Sequence, residues 1–451
     1  MLYLALIQSL LNYASFLFGD TSKNNLYALQ TIQNEGIRII TGALRCTRAA
    51  MLEAEVHLMP LDLRRHFLGI TYLGRVARLE ASIIADIVAN HRNMQFHMYR
   101  HIERNKPLSW IGHAHIIFEE MEFDYGDLAK LKNKYIYKPP LLKVNFSLHT
   151  ASKDLLNPTE VRNSFLQLLD QYNSYTPVYT DGSVKDERTG SAAVINNQTY
   201  SFRLPNHSSI HTAELYAILK AIEKIMNLND RNFLICSDSY SALQTLKSNE
   251  PNSLAHEIFD KVASTDKTIE FEWIPSHMGI PGNDAADLGA KSALYLDNIS
   301  QIPIAYNQFK TRVKNHLCKK WHDRWDHINS PPNQPLHLYP IKPVIKDWPS
   351  AHRNNREEEI VLARLRLKAC LFNKKHLFEN KTHPECEHCD VPLTIQHILI
   401  DCNLFYNERG PMLTALREND LPMEVSSILN EYFPAEILIT FLKNINYFHK
   451  I

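Results

Sequence analysis

Between residues 177 and 297 the hydrophobic rhythm of the chain switches repeatedly between a strand pattern and a helix pattern. This limits the available folds more than any other feature. The runs VYT, SAAVI and TYSFRL come first, rich in β-branched and aromatic residues. A helical stretch, the run NFLICS, a second helical stretch, the run IEFEWI and a last helix opened by PGNDAAD follow. Strands mixed with helices in this way read as a layered structure. The segment is therefore expected to build an α/β layer, a mixed sheet with flanking helices.

The rest of the 451 residues reads mainly as helix. Leu26, Leu29, Ile32, Ile37 and Ile40 roughly keep helical spacing, and Leu61, Leu63, Phe67 and Leu68 open another segment after Pro60. The pattern loosens from Tyr135 to Leu148 around Pro139-Pro140, which marks a linker, and a short helix at 158–171 follows. The expected divisions are a helical region at 1–135, a linker with a short helix at 136–174 and the α/β module at 175–297. A basic helical segment at 300–381, a cysteine-histidine cluster at 382–404 and a helical tail at 405–451 complete the chain. Within these, helical periodicity resumes at 357–378, and an apolar helix is expected near 435–443. The opening MLYLALIQSLLNYASFLFG is apolar, but it contains Gln8, Ser9 and Asn12, and the first basic residue is Lys23. It has the pattern of neither a signal peptide nor a spanning helix, so a buried helix and no membrane are expected.

Lys and Arg number 49 and Asp and Glu number 49, which argues against a generally basic nucleic-acid binder, but the average hides opposed regions. Residues 175–297 hold 10 Lys and Arg against 16 Asp and Glu, a net of −6; residues 300–381 hold 16 against 7, a net of +9. In the basic region Phe309, Val313, Leu317, Trp321 and Trp325 recur every four residues, flanked by Lys310, Arg312, Lys314, Lys319 and Lys320. The stripe reads either as a packed face with a solvated basic flank or as a helix laid along a phosphate backbone. Seven cysteines are too few for a disulfide scaffold and suit a reducing, intracellular compartment.

Four acids stand where the module can bring carboxylates together. Asp181 ends the strand-like TPVYT and precedes Gly182-Ser183; Glu214 lies in HTAELYAILKAIEKIM, flanked by the small Ala217 and Ala221; Asp238 follows NFLICS; Asp287 lies in the helix opened by PGNDAAD, ten residues after His277. Each has a plain explanation alone. Asp-Gly is a common turn, Asp238 before Ser239 would cap a helix, Glu214 and Asp287 would be solvated helix acids, and His277 a loop histidine. Their joint order lifts them above that baseline.

VYTDGS (178–183), TAELYAI (212–218), ICSDSYSALQTL (235–246) and WIPSHMGIPGNDAAD (273–287) resemble, in order and spacing, the successive motifs of ribonuclease H. The last string is most similar to the version carried by non-LTR retrotransposons. The resemblance implies an α/β RNase H-like fold and hydrolysis of the RNA strand of RNA/DNA hybrids with two Mg²⁺ ions, Mn²⁺ being a substitute. It implies that Asp181 bridges the two ions, that Glu214 and Asp238 hold one and Asp287 the other, and that His277 assists proton transfer or product release. Three features depart from the family pattern. Position 284 is Asp where Glu is usual. Ile210, His211 and Thr212 stand where cellular members often place amides that read the minor groove and 2′-OH groups. The stretch after Asp238 lacks the basic protrusion of some cellular members, a role the +9 segment would fill.

The flanks add to this. LQTIQNEGIRIITGALRCTRAAMLEAEVHLMPLDLRR (29–65) is similar to the segment after the polymerase active site of non-LTR reverse transcriptases, near the thumb. The paired aspartates of a Tyr/Phe-x-Asp-Asp polymerase motif are missing from the chain. Near the C-terminus Cys386-x2-Cys389-x7-His397-x4-Cys402 supplies a Cys₃His set that satisfies tetrahedral Zn²⁺, with His383 and His388 as competing ligands and buried free cysteines as the plain alternative. The family carries a comparable zinc-knuckle-like cluster here, preceded by a segment like LARLRLK (362–368). The expectation is thus an RNA/DNA hybrid nuclease embedded in a truncated retrotransposon polyprotein. An inactive remnant that only holds nucleic acid is the alternative from another class, and the four intact acids favour the enzyme. An integrase-like nuclease of the same fold would need its acids in another order, and the block from His277 to Asp287 argues against it.

Overall fold

A computed structural model of the chain describes residues 2–19, 21–79, 109–123, 125–130, 140–148, 157–206, 208–248, 253–348, 352–374, 376 and 382–451. The chain divides into two compact units. One comprises Thr71–His97 and Ile117–Arg312, the other Met1–Ile70, Met98–Ile116 and Val313–Ile451.

The first unit is built on a six-stranded sheet of β1 (Lys143–Asn145), β2 (Thr176–Lys185), β3 (Arg188–Ile195), β4 (Gln198–Leu204), β5 (Asn232–Ser237) and β6 (Thr268–Trp273). The spatial order is β1-β6-β5-β2-β3-β4. Neighbours β2, β3 and β4 pair antiparallel through short turns, and the helices after β4 and β5 carry the chain over to the parallel pairs β2·β5 and β5·β6. This is the mixed α/β sheet expected from the alternating rhythm.

Alternation along the strands loads both faces. Val178, Phe233, Ile235 and Phe271 share one core with Leu215, Ile218 and Ile222 of helix α2 (Ile210–Ile225), Leu243 of α3 (Tyr240–Ser248) and Phe259 of α4 (Ser253–Ser264). On the other face Leu234, Cys236 and Tyr179 pack with Phe165 and Leu168 of α1 (Pro158–Gln171). Helix α5 (Pro281–Ala293) lies against β2, β3 and β4. It approaches so closely that a Cβ on Gly282 would meet the Tyr179 ring at 2.1 Å.

Residues 136–139 and 149–156 of the expected linker lie outside the described residues. Where described, the segment is more ordered than its prolines suggest. Leu142, Val144 and Phe146 alternate with polar residues, and Lys143–Asn145 pair parallel with Glu270–Glu272 as the sheet's edge strand. Two buried acids of β6 hold that edge. Glu270 accepts hydrogen bonds from Lys143 Nζ at 2.9 Å and from the Tyr172 and Tyr175 hydroxyls at 3.1 Å each, while Glu272 accepts from the Ser147 amide at 2.9 Å and its hydroxyl.

The second unit is helical where described. Ser22 caps helix Lys23–Thr41 by accepting from the Asn25 amide, and Gly42, at φ 64, ends it in the left-handed conformation that favours glycine. The helix Tyr306–Asn329 starts in the first unit and continues into the second from Val313, and its stripe is a packed face: Phe309, Val313, Leu317, Trp321 and Trp325 are all buried, and Lys310, Lys314 and Lys319 point to solvent. Two expectations need correction. The N-terminal stretch forms the helical turns Tyr3–Gln8 and Ser9–Asn12, but of the residues in those two turns only Tyr3 and Leu11 are buried; Leu2, Leu6 and Leu10 are exposed because the buried contacts lie on the side of the turn that carries the Tyr3 ring against Gly36. The periodicity at 357–378 is not one helix. Arg356–Arg366 ends where Lys368 turns to φ 52 and the Ala369 amide donates back to Arg364 O at 2.8 Å, and a short turn, Leu371–Lys374, follows. The expected C-terminal helix is Ala435–Asn444. Among the described residues no helix is long and apolar enough to cross a membrane.

Candidate active site

The register of the sheet brings the first two acids together. Thr180 of β2 pairs with Ser237 of β5 in the parallel ladder, so Asp181 and Asp238 are the next residues along two neighbouring strands. Such carboxyl ends of parallel strands are where open α/β sheets place their ligands. Asp238 is then fixed from three sides. Its carbonyl accepts from the Trp273 indole N–H at 3.0 Å, its Oδ2 accepts from Asn283 Nδ2 at 3.3 Å, and α3 begins two residues later.

Glu214 is delivered by α2. Ser209 caps that helix by accepting from the Thr212 amide, and Ser191 of β3 donates to Ala213 O at 3.0 Å. The contact is close because position 182 has no side chain: a Cβ there would lie 2.8 Å from Ala213 Cβ and 3.0 Å from the Glu214 nitrogen. Gly182 thus does more than make the turn that Asp-Gly suggests. It continues β2 and lets the helix seat its glutamate beside Asp181. Oxygens of Asp181, Glu214 and Asp238 all lie within 4.8 Å of one another.

Asp287 comes from α5 and sits beside Asp181 within hydrogen-bond reach. Its Oδ2 accepts from Lys291 Nζ, one helical turn on, at 2.7 Å. His277 lies in the turn between β6 and α5 at φ 58, and its charge acts on Asp238. The structure therefore gathers Asp181, Glu214 and Asp238 into one group, with Asp287 acting on Asp181 and His277 on Asp238 from outside it.

Burial and mutual repulsion dominate the electrostatics. Burial, then the neighbouring Asp238 carboxylate, pushes Asp181 up to about 7 despite the hydrogen bond from the Gly182 amide. Glu214 is pushed well above the usual carboxylate range by burial and by Asp181 and Asp238. Asp238 is raised by burial, with Asn283 and His277 pulling it back. Glu214 Oε2 is buried without a hydrogen-bond partner among the described residues. An all-oxygen donor set with an unmet buried carboxylate oxygen fits a hard divalent cation such as Mg²⁺.

Several participants were not singled out from the sequence. Asn283 is 2% exposed and holds Asp238, yet inside PGNDAAD it reads as a helix-start residue. Lys291 was legible as the i+4 partner of Asp287. At the positions where amides are usual, Ile210 is exposed and His211 Nε2 lies 3.0 Å from Thr245 Oγ1, which fixes the ring against α3.

The C-terminal cluster is equally compact. One ligand atom each from Cys386, Cys389, His397 and Cys402 lies within 4.8 Å of the others, and His383 and His388 fall outside that group. Cys402 Sγ lies 3.9 Å from the sulfurs of both Cys386 and Cys389. That is far too long for a disulfide and close to the roughly 3.8 Å edge of a tetrahedron with 2.3 Å Zn–S bonds. A turn closed by Asp390 N to Cys386 O at 2.9 Å presents the first two cysteines, and the single helical turn His397–Asp401 leads to Cys402. Burial raises the Cys386 thiol, but the amides of His388 and Cys389 and the His397 side chain outweigh it and bring it down to about 7. Burial and the neighbouring sulfurs push Cys402 up to about 11. His397 Nε2 is buried without a hydrogen-bond partner among the described residues.

The raised carboxyls give a pH-dependent prediction. An acid whose folded pKa is raised contributes stability below its unfolded value near 4 and loses it as pH climbs through about 7. Above that pH the repelling carboxylates are ionised and a cation offsets them without displacing protons. Added Mg²⁺ should therefore raise the Tm of chelator-treated protein more at pH 8 than at pH 5, and less in Asp238→Asn. Differential scanning fluorimetry checks this; an increment equal at both pH values would place Mg²⁺ elsewhere.

Comparison with known families agrees with the geometry. Residues 173–295 match the family model described as RNase H, and this stretch of the chain is an RNase H domain.

Proposed function

We propose that the module hydrolyses the RNA strand of RNA/DNA hybrids by two-metal chemistry, with Asp181, Glu214, Asp238 and Asp287 holding Mg²⁺ or Mn²⁺. The observation that carries this reading is the convergence of buried, mutually repelling carboxylates with an orphaned Glu214 oxygen. When bound, such ions supply an activated water and offset the charge on the departing 3′ oxygen. The protein's own part is positioning. Asp181, beside Asp238 and Asp287, would hold metal together with them; Asn283 and the Gly182 amide orient the carboxylates; Lys291 steadies Asp287. His277, held in its turn near Asp238, carries a proton on the leaving side.

The flanks support a wider reading. We infer that the domain belongs to a non-LTR retrotransposon polyprotein, with residues 29–65 similar to part of its reverse transcriptase. Exposed Lys310, Lys314 and Lys319 offer a grip on phosphates. Cys386, Cys389, His397 and Cys402 would hold Zn²⁺ as a closed structural site. Seven free cysteines are consistent with an intracellular setting.

Asp238→Asn keeps the volume and loses a ligand, so cleavage of a labelled hybrid should fall by more than about 100-fold with the far-UV spectrum unchanged. His277→Ala should cost about 10- to 100-fold, since water partly replaces a proton carrier. Equal cleavage by Asp238→Asn and wild type would sink the assignment. Double-stranded RNA and DNA serve as control substrates.

The zinc reading has its own check. Elemental analysis of purified protein should find about one Zn per chain, and Cys386→Ser with Cys389→Ser should lose it while hybrid cleavage persists. Full zinc retention by that double variant would rule the site out.

A further inference from the structure

Arg409, just before the helix Gly410–Glu418, is a charged residue only 4% exposed. Its guanidinium reaches back to the turn that links His397 to Cys402. Nε donates to Leu399 O at 2.8 Å, and Nη2 donates to Cys402 O at 2.9 Å and to Ile398 O at 3.4 Å. The end of a helical turn leaves such carbonyls without partners of its own, and one planar fork serves three of them.

Carbonyls satisfy the donors of a guanidinium but do not offset its charge, and a buried cation is costly without an anion beside it. Among the groups whose charge acts on Arg409, Cys402 comes first; Asp401 and Glu408 follow, and both are exposed, where water and salt screen them. A cysteine that binds metal does so as the thiolate. Zn²⁺ held by three thiolates and a neutral imidazole carries a net charge of −1. The buried cation therefore stands where the loaded cluster is one charge short of neutrality, beside Cys402, which is 0% exposed.

We propose that Arg409 is the built-in counter-ion of the zinc site, a positioning residue that clamps the carbonyls between His397 and Cys402 and offsets the negative charge of the loaded cluster. The inference rests on the zinc reading and is independent of the nuclease. Two substitutions separate its parts: lysine keeps the charge without the planar fork, and glutamine keeps an amide donor without the charge.

Metal binding by the full chain tests it, with Zn²⁺ affinity measured by competition with a chromophoric chelator and the ligand set read from the sulfur-to-metal charge-transfer bands of the Co²⁺ form. Arg409→Gln should bind Zn²⁺ about 10- to 100-fold more weakly than wild type. Its charge-transfer intensity at saturating Co²⁺ should be unchanged, because all three thiolates still bind. Arg409→Lys should recover most of the lost affinity. Lys450→Met, which removes an exposed cation from the Tyr447 ring beside the cluster, should bind as wild type does. If wild type binds neither ion, the zinc reading fails and takes this inference with it. If wild type binds and Arg409→Gln matches it, this inference alone fails. Equal losses in Arg409→Gln and Arg409→Lys, weaker charge-transfer bands in Arg409→Gln, or the same loss in Lys450→Met would each reduce Arg409 to scaffold and overturn the proposal.

Discussion

The RNase H domain is organised around an unfavourable interaction. Asp181, Glu214 and Asp238 bring carboxylate oxygens within 4.8 Å of one another in a largely buried place. Like charges at that separation, screened poorly by protein, oppose ionisation and raise the pKa of each member. A fold tolerates this arrangement only where the surrounding structure over-determines it, which is the usual situation at a functional site. The scaffold here does so by several independent means: the β2·β5 ladder sets Asp181 and Asp238, α2 sets Glu214, and α5 sets Asp287.

Each of those means relies on a close approach. The contact of α2 with β2 needs a residue without a side chain at Gly182, and the contact of α5 with β2 needs the same at Gly282. A methyl group at either position would push a helix outward and carry its acid away from the centre. Asn283 adds a finer constraint, because its amide leaves Asp238 one preferred orientation. The edge of the sheet is secured differently, by Glu270 and Glu272 clasping the segment around β1 and the end of α1.

Much of this was legible in the sequence for physical reasons. Alternation and turn residues defined β2 to β6, and the periodicity of Phe309, Val313, Leu317, Trp321 and Trp325 matched a helix that buries all five. The four acids and His277 were found because their order and spacing resemble a known arrangement, a signal that no one of them carries alone. What escaped depended on partners distant in sequence. The alternation of Leu142, Val144 and Phe146 is too short to declare a strand until β6 offers an edge beside it. Leucines of the N-terminal turns look like core residues, but burial is set by what packs against them, and only one side of those turns has a partner. The break at Lys368 is a single left-handed residue that hydrophobic periodicity cannot announce.

The central claim is that the carboxylate group exists to hold divalent cations. Anomalous scattering from crystals of the full chain grown with Mn²⁺ and a hybrid tests it most directly. Two manganese peaks enclosed by Asp181, Glu214, Asp238 and Asp287, on the order of 4 Å apart, are expected. Manganese found only on exposed acids, with those four side chains free of metal, would contradict it.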